Sequence, residues 1–280
     1  MVAPINTILA RTGGAALAVQ SVLGESTVTS AFATNPMKLL TPRSRGTSVW
    51  SYLSNYGGGF VTGDQTRLDL TLGPNTRCFF GTQASTKIYR NAGRRACGHE
   101  TAAELGEQAI LVFAPDPVSA FADSTYTQRQ EFRLAPGAGL ALVDWLSSGR
   151  AARGERWAFQ RFASRNEVFV NGERVFLDSL CLGAADDLAG SSHRLGRFNC
   201  LGLLLLVGEP MRAAAAALLA EIATRPVDRC GALITSASPV ADGAILRVAG
   251  CQVEDVGREL HSHLRFARAL LGDDPWARKW

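Results

Sequence analysis

Between residues 66 and 72 apolar and polar side chains alternate, with Leu68, Leu70 and Leu72 set against Arg67, Asp69 and Thr71. This period of two is the signature of a strand with one buried face. Gly73-Pro74-Asn75 interrupts the run, and a second strand is predicted over 77–82, making the pair a candidate hairpin. Asn171-Gly172, the preferred dipeptide of a type I′ turn, separates strand patterns at 168–170 and 174–177. Pro136-Gly137 forms a turn between strands at 126–134 and 140–146. Residues 15–23 and 27–33 form a first hairpin around Gly24-Glu25.

The period changes to helical twice, both times in the last third. Residues 211–224, rich in Ala and Leu, follow Pro210 and stop before Pro226. Over 253–271, Val253, Val256, Leu260, Leu264, Ala267 and Leu271 recur at steps of three and four, an amphipathic stripe. Residues 100–108 have a helical composition but contain Gly106 and lie among strands, so they are assigned to strand or turn. No internal repeat or linker is legible, and Gly190-Ser191-Ser192 is the best loop. The pattern predicts a mainly β fold in a single domain, 1–280, with two α-helices in the C-terminal third.

Composition supports this reading. The chain has 280 residues, of which 46% are hydrophobic and 19% charged, with 28 Gly and 11 Pro; neither a coiled coil nor a disordered chain has this profile. A net charge of +4 is too mild to indicate a nucleic-acid surface. The densest basic stretch, Arg150, Arg153, Arg156, Arg161 and Arg165, is broken by Glu155 and reads either as a solvated strand edge or as a site for an acidic partner. Six cysteines are scattered without a C-x-x-C pair. Met1–Ala10 lacks a signal-peptide pattern, and the longest apolar run, 200–207, is far shorter than a membrane helix requires. Cytoplasmic residence with reduced thiols is the expectation.

Familiar catalytic motifs are missing. There is no G-x-S-x-G elbow and no G-x-G-x-x-G after an early strand. Gly58 and Gly63 have the spacing of a phosphate loop, but Asp64-Gln65 stands where Lys-Ser/Thr belongs, and Asp64 would repel phosphate. His261 and His263 are two apart, about 200° on a helix, and cannot share one metal. Cys97 and His99 share a face if the segment is extended, but two ligands do not close a structural site.

Several blocks resemble a known family. Pro36-Met37-Lys38-Leu39-Leu40-Thr41-Pro42, Tyr56 to Asp64 (YGGGFVTGD) and Thr82 to Arg90 (TQASTKIYR) are similar to conserved segments of the UreD (UreH) urease accessory proteins. Pro115-Asp116-Pro117-Val118, Tyr126-Thr127-Gln128, Val143-Asp144-Trp145 and Ala152 to Trp157 (ARGERW) continue in the same order. The resemblance implies a fold of stacked, β-helix-like sheets without catalysis of its own. It implies assembly with UreF, the GTPase UreG and apo-urease, and a part in carrying nickel(II) to urease, with no tightly bound cofactor.

A relay must strip water from nickel and still release it. Thiolate and imidazole clusters bind nickel tightly, whereas carboxylates, hydroxyls and carbonyls exchange it readily. Asp64, Ser85, Asp116 and Glu155 lie inside the matching blocks and are the candidate transient path. Each also has a purely local reading: Asp116 caps a turn, Glu155 pairs with arginine, Ser85 satisfies backbone groups. Lys87, Tyr89 and Arg90, with Arg150 and Arg153, are candidate partner contacts; the first three read equally as an interior lining or a solvated strand face. Trp50, Tyr52 and Trp145 are expected in the core. Two other readings stay open: a bridging module without a nickel path, and a hydrolase using Asp64 and Glu155 as paired carboxylates.

Overall fold

The computed structural model describes residues 12–43, 46–93, 95–190 and 194–277. The segment 1–10 read for a signal, and Ser191-Ser192 of the expected loop, lie outside the described residues. The chain coils. β4 (Val49–Asn55), β5 (Gly59–Phe60) and β6 (Gln65–Leu72) form one circuit. β7 (Arg77–Thr82), β8 (Thr86–Ile88) and β9 (Cys97–Leu105) form the next, and β10 (Ile110–Phe113), β11 (Val118–Ala120) and β12 (Thr125–Leu134) a third. Corresponding strands of successive circuits pair in parallel, β6 with β9 with β12 and β4 with β7 with β10. The result is the stacked, solenoid-like fold expected.

β13 (Gly139–Ser147) and β14 (Arg161–Val170) continue the stack by pairing in parallel with β10 and β12. Antiparallel strands finish it. On one sheet these are β2 (Glu25–Ala33), paired to β1 (Gly13–Val22), which itself runs parallel to β6, and β15 (Glu173–Gly183). On the other they are β3 (Met37–Leu40), β16 (Cys200–Val207), β17 (Leu233–Val240) and β18 (Gly243–Gly250). Sheet A runs β15-β14-β12-β9-β6-β1-β2, and sheet B runs β17-β18-β16-β13-β10-β7-β4-β3.

The hairpins at Gly24-Glu25 and Asn171-Gly172 form as expected, with Asn171 and Gly172 both at positive φ. The hairpin expected between 66–72 and 77–82 does not. β6 belongs to sheet A and β7 to sheet B, and the turn, held by Thr76 Oγ1 donating to Gly73 O at 2.7 Å, carries the chain across the core. Leu68, Leu70 and Leu72 therefore face Cys78 and Phe80 through the sandwich rather than sitting beside them. The turn at Pro136-Gly137 likewise joins strands of opposite sheets. Residues 100–108 are β9 and the turn after it, with Gln108 at positive φ.

Sheet B is covered on its outer face by helices. α1 (Arg212–Thr224) lies over β16, β17 and β18. The stripe at 253–271 forms α2 (Val253–Ser262) and the short α3 (Ala267–Leu271), with a bend between them. Leu260, Leu264, Ala267 and Leu271 bury there beside Trp50, Tyr52, Phe79 and Trp145, which places the three expected aromatics in the core. At Gly202 a Cβ would stand 3.0 Å from both Leu260 Cδ1 and Val256 Cγ1, so glycine sets how closely α2 approaches β16. β13, buried on both faces, is a continuous apolar run apart from Asp144 and its terminal serine. Among the described residues no helix is long and apolar enough to cross a membrane.

Candidate functional site

Two apolar cores fill the space between the sheets. One gathers Leu68, Leu70, Phe80, Phe113, Phe132 and Leu142; the other gathers Phe60, Ile88, Tyr126, Trp157, Phe159 and Phe162. Between them the inward-facing positions of sheet A turn polar for two consecutive rows. In the first row Thr66 pairs with His99, His99 with Gln128, and Gln128 with Ser164. In the second, Thr101 pairs with Gln130, Gln130 with Asn166, and Asn166 with Asp178. Parallel register stacks like positions of successive coils, so the polar residues form a belt that crosses the sandwich at right angles to its strands.

Asp144 of β13 meets this belt from the opposite sheet. It is the inward residue between Leu142 and Leu146 and is partly buried, on the lining of the wide cavity described below. Oδ1 accepts from Gln128 Nε2 at 3.0 Å, and Oδ2 accepts from Ser164 Oγ at 2.9 Å and Asn166 Nδ2 at 2.8 Å. Burial pushes its carboxyl above the usual carboxylate range, and these three donors, which favour the anion, oppose that push. Gln130 Nε2 donates to Asn166 Oδ1 at 2.8 Å and extends the network along the second row.

His99 lies in the same belt. Burial lowers its pKa to about 4, so the ring is neutral near pH 7. Its Nδ1 is 2.8 Å from Thr66 Oγ1 and its Nε2 is 3.3 Å from Thr101 Oγ1. Thr66 Oγ1 donates to Gly98 O at 3.3 Å, which leaves that oxygen to accept from Nδ1–H. The Nε2 lone pair then faces Thr101. Cys97, two residues earlier on the same inward face, is engaged elsewhere: its thiol donates to Val61 O at 2.8 Å and packs in the second apolar core.

Open space follows the belt. A cavity of about 320 Å³ between β14–β15 and β16–β18 ends on Asp144 and Trp145. A narrow cavity of about 40 Å³ begins at the same two residues and is lined by His99, Thr101, Gln128, Thr82 and Asp116. Its volume admits one or two water-sized species. It also contains Asn55, whose Oδ1 is a buried acceptor without a partner among the described residues. A third recess, about 220 Å³, shares Leu53, Asn55 and Thr86 with the narrow cavity and is lined by Ser85 and Lys87. Asp178 and Asp144 thus line the wide cavity, Asp144 and Asp116 the narrow one and Ser85 the third recess, a line of polar residues across the three linings.

Asp116 and Ser85 are the two sequence-predicted path residues that lie on this line. Asp116 is held by Thr82, whose Oγ1 donates to Oδ2 at 3.0 Å and accepts from Asp116 N at 2.7 Å. Asp64 and Glu155 sit in loops outside the cavity linings. Asp64 Oδ2 accepts from Val61 N at 2.8 Å and closes the glycine turn. Glu155 accepts from Ala122 N at 3.3 Å and pairs with Arg150, which holds its carboxyl below the ordinary range.

Of the expected partner contacts, Tyr89 donates to Gly57 O at 2.9 Å and Arg90 pairs with Asp123 at 3.1 Å. Arg150 lies over Phe121, and Arg153 is exposed in the turn before Gly154. Sequence reading passed over Asp144, His99, Gln128, Gln130, Ser164 and Asn166 as a group. A signal was present, since Gln128 and Gln130 and then Ser164 and Asn166 occupy inward positions of otherwise apolar alternations. Among the described residues no three His, Cys, Asp or Glu side chains converge as a metal site.

Comparison with known proteins agrees with the blocks noted above. A family model described as UreD urease accessory protein matches residues 11–280. Urease accessory protein UreD of Sorangium cellulosum is 42% identical over 271 residues, covering 96% of this chain and 85% of that protein. UreD of an Anaeromyxobacter species is 37% identical, covering 96% and 90%. Urease accessory protein D of Arabidopsis thaliana is 36% identical over 199 residues, covering 69% and 67%. The chain belongs to the UreD family of urease accessory proteins.

Proposed function

We propose that this protein is a non-enzymatic scaffold of urease maturation that offers nickel(II) a passage through its interior. The observation that carries the reading is Asp144, a partly buried carboxylate in a polar belt that joins cavities on either side of it. Carboxylate, amide and hydroxyl oxygens bind nickel loosely enough to release it. Rotating the Gln128 and Asn166 amides would turn donors into carbonyl ligands beside Asp144. The neutral His99 imidazole supplies a nitrogen stop in the narrow cavity, and Asp116 with Ser85 continues the line outward.

UreF, UreG and apo-urease are the proposed partners, and the cytoplasm the proposed setting. Exposed Arg153 and the half-buried Ser85–Lys87 recess provide polar surface for docking. Asp64 and Glu155, tied into loops, act on the passage by fixing those loops. The test is nickel delivery to apo-urease in a reconstituted complex of the full chain and its partners. Asp144→Asn and Asp116→Ala, placed on the cavity lining, should lower nickel content of the urease while complex assembly stays intact. Normal metallation with both variants would leave the bridging role and remove the passage.

A further inference from the structure

The wide cavity opens at one edge of the sandwich, where β15 of sheet A faces β17 and β18 of sheet B. An ion pair joins the two rims. Arg247 Nη2 of β18 donates to Asp178 Oδ1 of β15 at 2.9 Å. Both side chains point between the sheets: Arg247 follows inward Ile245 by two residues, and Asp178 follows inward Phe176 by two. Asp178 is the outermost member of the second polar row, and its register partner Asn166 donates to Asp144. The row therefore links its own carboxylate at the mouth to Asp144 of the opposite sheet at the centre, and a guanidinium occupies the first.

The arrangement is odd as a stabilising device. The Arg247 side chain is 55% exposed and that of Asp178 22%, and an ion pair this wet adds little to stability. Its effect on an approaching cation is large by comparison. The guanidinium neutralises the Asp178 carboxylate at the mouth and adds a positive charge beside it. The half-exposed head of Arg247 is accessible to an acidic group on a docked protein.

Resting on the reading of a cation passage, we propose that Arg247 is the gate of that passage. In the free protein it holds Asp178 and excludes divalent cations. When a docked partner presents a carboxylate, the guanidinium transfers to it, and Asp178 becomes the first ligand of a line that leads through Asn166 to Asp144. The chain thereby admits nickel only from a bound partner and rejects free ions.

The test compares activation rates of apo-urease by free Ni²⁺ in the complex of the full chain and apo-urease, assembled without the accessory partners whose docking opens the gate. Arg247→Met keeps the aliphatic stem and removes the charge; the rate from free Ni²⁺ should rise roughly tenfold, since like-charge exclusion at the mouth is lost. Arg247→Lys keeps the charge and should keep the wild-type rate. Equal rates for wild type and Arg247→Met, or equal acceleration by Met and Lys, would overturn the gate. The same complex carrying Asp144→Asn separates the two proposals. If Asp144→Asn blocks delivery while Arg247→Met has no effect, the gate alone fails; if Asp144→Asn delivers normally, the passage fails and the gate with it.

Discussion

Replacing Asp144 by Asn changes one oxygen for an NH₂ group at the centre of the belt. A unit charge and a divalent ion 4 Å apart attract by about 8 kcal/mol at an effective dielectric constant near 20, twice the value for two unit charges. Water entering from the wide cavity screens part of this. If half remains, the loss of about 4 kcal/mol corresponds to roughly a thousandfold slower passage at 1.4 kcal/mol per decade. The effect on folding is opposed and small. The carboxylate gives up three charge-assisted hydrogen bonds, each worth about 1.5–3 kcal/mol, but its burial costs several kcal/mol. Asp144→Asn should therefore melt within a few degrees of the wild type, bind its partners, and deliver nickel to apo-urease at a small fraction of the normal rate. The assay is urease activity and nickel content against time, with thermal unfolding as control. Delivery within about twofold of wild type would refute the electrostatic argument.

Other outcomes follow from the same structure. His99, with its pKa lowered to about 4, is buried neutral, so the unfolded state binds the extra proton between pH 6.5 and about 4. Stability should fall by up to about 3 kcal/mol as pH drops through that window, and His99→Gln should flatten the slope, read by denaturant unfolding at each pH. Glu167, held at about 2 by Arg165 and Arg174, stabilises the fold above pH 4.5 and loses that contribution as pH falls toward 2. Because the arginines are more than one-third exposed, Glu167→Gln should cost only about 1 kcal/mol at pH 7 and nothing below pH 2. Gly202→Val would drive methyl groups into Leu260 and Val256 and should destabilise by about 1–3 kcal/mol in thermal unfolding. Asp116→Ala should slow nickel delivery more than the double variant Asp64→Ala, Glu155→Ala, because only Asp116 lines the cavity.

Much of this protein is written in its local sequence. Alternation at 66–72 and 126–134, the Asn171-Gly172 turn and the apolar stripe at 253–271 determine strands, a hairpin and helices because each depends on neighbours a few residues away. The blocks around Gly57 to Asp64 and Thr82 to Arg90 carry the family likeness for the same reason, being contiguous. The pairing of the strands was not legible. The turn after Leu72 reads as a hairpin, and only the stacking of coils sends β7 to the opposite sheet. The coils themselves are hidden because Leu70, Ala103 and Phe132, which stand in register, are unequally spaced along the chain. The belt is the strongest case. Thr66, His99, Gln128, Asp144 and Ser164 lie on five strands, each alone or beside one other polar residue among inward positions that are otherwise apolar. Parallel register aligns four of them across one sheet and brings the fifth from the other. Local pattern determines which face of a strand is buried. Which buried residues meet depends on the register between distant strands, and only the tertiary structure sets it.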